Sequence, residues 1–291
     1  MNNIHTSPIV GQERVTGAKG VQISLRWWLP STSRRATLAI VPGFKSHSGH
    51  YAWAAGQFAA DGIATYAVDL RGRGRSDGER FYVEDVADYL SDIATLISVA
   101  RAQAPDAPVF LLGHSAGGVL ASVYALDHQN ELKGLVCESF AFRVPAPRIV
   151  LTITRWISRI APRLRVLKLP NEGFSRDPDI VEALDQDALI RNELQPAKTV
   201  AEMLRAIERL EYGFDRFRLP ILILHGSADK VTLKAGSETF YEKAGSADKT
   251  LKVYPDHVHD LLSDVGKKSV IRDMKSWIDQ RLYSIPSRNP S

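Results

Sequence analysis

VFLLGHSAGG, residues 109–118, sets one serine between glycines directly after an apolar run. Val109, Phe110, Leu111 and Leu112 are apolar without alternation, which predicts a central parallel strand covered on both faces. The stretch from Gly117 to Tyr124 then predicts a helix, so Ser115 falls at the turn between them. A turn that tight forces the serine to positive φ, a conformation that costs about 1–3 kcal/mol. It also brings strand and helix so close that Gly113 and Gly117 must lack side chains. Such a turn is a nucleophile elbow. It exposes Oγ, points a helix N-terminus at the reacting group, and offers the Ala116 N–H to a developing oxyanion. G-x-S-x-G alone is a frequent small-residue turn; the strand before it, the helix after it and the extra Gly118 make the match specific.

Working outward, the 291 residues are 44% hydrophobic and 24% charged, the balance of an ordinary soluble chain with room for one large α/β domain carrying an insertion. The start, MNNIHTSPIVGQER, lacks the basic and apolar regions of a signal peptide, and no apolar run reaches membrane-spanning length, so a cytoplasmic location is the expectation. Cys137 is the single cysteine, which excludes an internal disulfide; its apolar strand context makes it a small buried hydrophobe. The net charge of +4 is spread along the chain without a basic run, which argues against nucleic acid but is compatible with peripheral association at an anionic lipid surface. The tail, residues 283–291, is polar and Pro-punctuated, as in a frayed end. Nothing in the sequence specifies an oligomeric state.

In chain order, VQISLRWWL (21–29) predicts a strand hairpin-paired with residues 13–16 across a turn at 17–20. TLAIV (37–41) is the next strand and runs into Pro42, Gly43 and Phe44. A helix at 51–61, a strand at 64–70, a loop at 71–78 and a long helix at 83–102 precede the elbow. GLVCESF (134–140), ILIL (221–224) and LKVY (251–254) supply later strands, with helices at 234–244 and 267–283. Strands alternating with helices predict a mainly parallel sheet, with ligand sites beyond the carboxyl ends of its strands. The interval 141–219 breaks that rhythm. It shows no clear strand, but Ile149, Ile153, Trp156, Ile157 and Ile160 recur at helical spacing, which predicts a helical cap between core segments 1–140 and 220–291. The stripe should be buried, either as core packing or as a wall for an apolar substrate.

A serine nucleophile needs a base to take its proton and an acid to orient that base. Asp229, in the turn after ILIL, can project a carboxylate into the site. His257 and His259, in VYPDHVHDLL after the last strand, are both placed to serve as the base. The chain order is then Ser, Asp, His.

These loops resemble the monoacylglycerol lipase and lysophospholipase group of serine α/β-hydrolases. PGFKSHSGHY is similar to that family's HGxxEHSGRY, and DLRGRGRSDGER to its D-H-x-G-H-G-x-S-x-G-x-R loop. GHSAGG is similar to its elbow, GSADKVT to its acid turn, and LKVYPDHVHDLLSD to its LKxYxGAYHxLLxE. The resemblance implies an α/β-hydrolase fold, a lid over 141–219, Ser115, Asp229 and His259 as the triad, and the backbone N–H groups of Phe44 and Ala116 as the oxyanion hole. It implies ester hydrolysis on a lipid-like small molecule through an acyl-enzyme on Ser115, without metal or cofactor, with Ile153, Trp156, Ile157 and Ile160 of the cap against the acyl chain. Two departures matter: Pro42 stands where the family has His, and Ser46 and His50 stand where it has Glu and Arg. The head-group contacts therefore differ, and a short-chain carboxylesterase or thioesterase is the alternative within the fold. A catalytically inactive binding module is the alternative outside it, although the three triad residue types are present. Relatives with carboxylate nucleophiles are disfavoured by Ser115.

Other signals are weaker. The glycines at 72, 74 and 78 do not keep the spacing of a dinucleotide fingerprint. His114 is expected to pack and hydrogen-bond beside the nucleophile, and His47 has no assignable role. No H-E-x-x-H pattern, cysteine cluster or carboxylate run marks a metal site.

Overall fold

The computed structural model describes residues 7–282; the frayed tail expected at 283–291, the last residue of the helix expected at 267–283 and the first six residues lie outside the described residues. The chain begins with a hairpin of β1 (Ile9–Thr16) and β2 (Gln22–Leu29). It continues through β3 (Ala36–Val41), α1 (Ala52–Ala60), β4 (Ile63–Asp69), α2 (Val86–Ala102), β5 (Val109–His114), α3 (Ala116–Asp127) and β6 (Gly134–Glu138). The segment up to β9 (Ile221–Gly226) holds α4 (Arg148–Ile160), β7 (Arg165–Leu167), α5 (Pro178–Gln186), β8 (Gln195–Pro196) and α6 (Ala197–Glu211). The chain closes with α7 (Lys234–Lys243), β10 (Lys249–Tyr254) and α8 (Lys267–Leu282).

One sheet of eight strands runs β1-β2-β4-β3-β5-β6-β9-β10. The pairs β1/β2 and β2/β4 are antiparallel and the rest parallel, as the sequence rhythm predicts. Alternation along the strands feeds two apolar layers. Leu38, Ile40, Phe110 and Leu112 meet α1 and α8 on one face. Ala39, Val41, Val109 and Leu111 meet α2 and α3 on the other.

The interval 141–219 departs from expectation in two ways. It contains a short antiparallel pair, β7 with β8, where no strand was expected; strands of two or three residues carry too little periodicity to be read from sequence. Met203, Ala206, Leu210, Phe214 and Phe217 of its later part join the same apolar cluster as Leu111 of β5. Its first helix forms where the periodicity placed it, but the expected burial of the stripe is wrong. Ile149, Ile153, Trp156 and Ile160 are exposed, at 65%, 49%, 60% and 83%. The reason is how α4 is seated. It packs on α6, which in turn packs on α3. The side it turns inward carries buried Thr154 and half-buried Leu151, Ile157 and Ser158, and Arg155 pairs with Glu208 of α6 at 2.5 Å. Ile153, Trp156 and Ile160 therefore form no buried wall here.

The elbow is as tight as the sequence requires. Ser115 has φ 54° and ψ −118°. A Cβ on Gly113 would lie 2.4 Å from the Gly117 carbonyl oxygen, and one on Gly117 would lie 2.1 Å from that of Val41. Gly117→Ala should therefore destabilise the protein by about 3 kcal/mol or prevent folding, since neither neighbour is a flexible side chain. Gly56→Ala, in the middle of α1 with nothing within 4 Å of its Cβ, should instead stabilise by about 1 kcal/mol. Urea unfolding of both variants checks the pair; equal effects would contradict the backbone contact.

Candidate active site

Parallel strands end together, so the residues that follow β3, β5, β6, β9 and β10 meet at one edge of the sheet. Ser115 follows β5 directly and is 6% exposed. Its N–H donates to the Glu138 carbonyl at the end of β6, 2.8 Å away, which ties the elbow to the neighbouring strand. Asp229 and His259 arrive after β9 and β10 with fully buried side chains.

His259 Nδ1 lies 2.8 Å from Asp229 Oδ2. A carboxylate has no proton to give, so Nδ1–H donates and Nε2 is left as the basic nitrogen. Val231 N–H and Thr232 N–H donate to Asp229 Oδ1 at 2.8 and 3.0 Å, and the Thr232 hydroxyl donates to Oδ2 at 2.8 Å. His225 Nε2 stands 3.3 Å from Oδ2. Burial alone would raise the Asp229 carboxyl, but the His225 and His259 imidazoles and the Thr232 N–H hold it well below the ordinary carboxylate range. It stays ionised, as an orienting acid must.

The histidine is fixed from other sides too. The Ser139 hydroxyl donates to the His259 carbonyl at 2.5 Å, Phe174 meets the His259 ring edge-on at 5.1 Å, and the His114 ring lies 5.0 Å behind it. His114 is lowered to about 4 by burial, so at neutral pH it is an uncharged packing partner. Glu138 is fully buried, and burial and then Asp260 push its carboxyl well above the usual range. Its carboxyl oxygen accepts the Leu262 N–H at 3.2 Å. His257 stands apart: its Nδ1 meets the Pro255 carbonyl at 3.0 Å, and its ring packs on Tyr254.

The loop after β3 approaches the elbow closely enough that a Cβ on Gly43 would lie 2.9 Å from Ser115 Cβ and 3.5 Å from the Ala116 nitrogen. The Gly43 backbone thus lies against Ser115 and Ala116, which brings the loop that carries Phe44 to the elbow. The same loop carries the two family departures. His50 Nε2 and His47 Nε2 both reach Asp187 Oδ2 of the 141–219 segment, at 2.8 and 2.7 Å, and Ser46 Oγ lies 3.3 Å from His50 Nδ1. His47 Nδ1 accepts the Gly49 N–H, so its Nε2 carries the proton that the carboxylate receives. These three side chains group like metal ligands, yet that tautomer commits the His47 edge to the carboxylate. Hydrogen bonds from His50 and His47 hold Asp187 well below the ordinary range despite partial burial.

Ser115, Asp229, His259, Phe44 and Ala116, the residues the sequence singles out, all lie at or next to this edge. Sequence reading misses His225, Thr232, Phe174 and the partner of His47. His225 closes the β9 run ILILH and could have been found by its place at a strand end; the others depend on contacts across the chain.

A family model described as "Serine aminopeptidase, S33" matches residues 32–266. A monoacylglycerol lipase of Mycolicibacterium smegmatis is 30% identical over 91% of this chain and 96% of its own length. A human monoglyceride lipase is 28% identical over 95% of this chain and 93% of its own. Among solved structures, a soluble variant of the Saccharomyces cerevisiae monoglyceride lipase, determined with a substrate analog, superposes with a TM-score of 0.84 at 22% identity, over 98% of this chain and 99% of that one.

The two histidines give a direct test of the geometry. His259→Ala should lower ester hydrolysis at neutral pH by on the order of 10⁴ or more, while His257→Ala should leave it within about tenfold. Initial rates on one soluble ester decide it, and the reverse pattern would move the base to His257.

Proposed function

The chain belongs to the monoacylglycerol lipase-like serine α/β-hydrolases, and from that premise we propose that it hydrolyses lipid-like monoesters, a monoacylglycerol or a lysophospholipid, through an acyl-enzyme on Ser115. The observation that carries the reading is the 2.8 Å bond between the ionised Asp229 and His259, at the same sheet edge as a serine on a strained elbow. Ser115 Oγ attacks the ester carbonyl while His259 Nε2 takes its proton. The Phe44 and Ala116 N–H groups receive the oxyanion. Collapse breaks the ester bond, the leaving alcohol takes the proton back from His259, and the acyl group stays on Ser115. Water, giving its proton to His259, then releases the fatty acid and restores the serine.

Residues 141–219 act as the cap. The exposed face of α4 supports a lipid-borne substrate: Ile149, Ile153, Trp156 and Ile160 lie beside Arg148 and Arg159, and the Arg159 guanidinium sits 5.2 Å over the Trp156 ring. A helix with apolar residues on one face and cations along its flank is suited to lie in a membrane interface. No helix among the described residues is long and apolar enough to cross a membrane, so the association would be peripheral.

Rates across acyl lengths test the substrate, with soluble butyrate esters at one end and long-chain monoacylglycerols in anionic vesicles at the other. Long chains should be preferred. The pair Trp156→Ser and Ile160→Ser should lower the vesicle rate by about tenfold, since the 1.4 kcal/mol involved is less than two buried methylenes supply. It should leave the butyrate rate and the thermal midpoint unchanged. Preference for butyrate would favour the short-chain esterase reading, and equal losses on both substrates would remove the interfacial role of α4.

A further inference from the structure

The peptide next to the oxyanion hole is held by a side chain that the triad does not use. The Lys45 N–H donates to Glu193 Oε1 at 3.0 Å, across 148 positions of sequence. The same oxygen accepts Arg73 Nη1 at 2.6 Å, and Arg73 Nη2 donates to Gln195 Oε1 at 2.7 Å. Arg73 also lays its guanidinium 4.2 Å over the Phe44 ring, and its Nε reaches the Tyr89 hydroxyl at 3.3 Å. Glu193, Gln195 and Arg73 are 2%, 1% and 3% exposed. This is a desolvated ion pair built on a backbone N–H.

Lys45 is itself held in an unusual backbone conformation. Its φ is +58°, in the left-handed region that a long side chain rarely adopts and that persists only when its surroundings over-determine it. Phe44 is therefore held on three sides: Gly43 is wedged against the elbow, the following peptide is bonded to Glu193, and the ring is covered by Arg73. These contacts restrain the peptides on either side of Phe44.

We propose that Glu193, together with Arg73, is a positioning residue for the oxyanion hole: the 141–219 segment sets the Phe44 N–H through the Lys45 peptide. The proposal rests on the reading of Phe44 as an oxyanion donor. Removing one such donor typically costs 10²–10³ in kcat, and a misplacement of about 1 Å can cost about 10². The loss should fall on the chemical step, because the ester in its ground state gains little from that N–H.

Two variants separate positioning from stability. Glu193→Gln keeps a carbonyl oxygen for the Lys45 N–H and should retain kcat within about fivefold. The pair Arg73→Met with Glu193→Leu replaces the buried ions by apolar groups of similar size, an exchange that folds tend to tolerate. It leaves the Lys45 N–H without its acceptor. That pair should lose about thirtyfold or more in kcat on a soluble butyrate ester with KM within twofold. Its inhibition constant for a trifluoromethyl ketone, whose serine adduct carries an oxyanion, should rise by the same factor. Full kcat in the folded pair, a loss confined to KM, unchanged ketone affinity, or failure of both variants to fold would overturn the proposal. Ser115→Ala in the parent serves as the separate control: if it still hydrolyses the ester, the triad reading has failed rather than the positioning role.

Discussion

The close approach of β5 and α3 at Ser115 is the constraint on which the remaining architecture depends. With no Cβ at Gly113 or Gly117, the helix begins against the strand and the loop after β3 presses onto both. The serine is then held at positive φ, strained but surrounded by backbone contacts that leave it no alternative. Parallel strands on either side bring their carboxyl ends to the same level, so Asp229 and His259 need only short turns to reach it.

A second layer of polar contacts keeps those turns in place. Asp229 is buried yet ionised because several donors converge on it, and the imidazole it orients is braced by Ser139, Phe174 and a neutral His114. The 141–219 segment makes its own attachments to the loop after β3, through Asp187 with His47 and His50 and through Glu193 with Lys45. These attachments tie the 141–219 segment to the loop that carries Phe44.

Much of this was legible in the amino-acid order. The elbow could be read because its requirements are local: an apolar strand, a glycine on each side of the turn and a helix. The strand rhythm was legible for the same reason, and the residues at strand ends followed from it. The seating of α4 was not. Periodicity shows that Ile153, Trp156 and Ile160 share a face but carries no information about what that face meets, and here it meets solvent. The β7/β8 pair is too short to leave a pattern, and the Arg73 and Glu193 pair joins positions far apart in sequence that no local rule connects. His47 looked idle for that reason too, since its partner lies in a different segment.

Covalent trapping of the nucleophile tests the central claim most directly. Purified protein treated with a fluorophosphonate and analysed by intact mass and peptide mapping should gain one adduct, on the peptide holding Ser115. Ser115→Ala should gain none. An adduct on another residue, or undiminished labelling of the alanine variant, would contradict the assignment of the elbow serine as the reacting group.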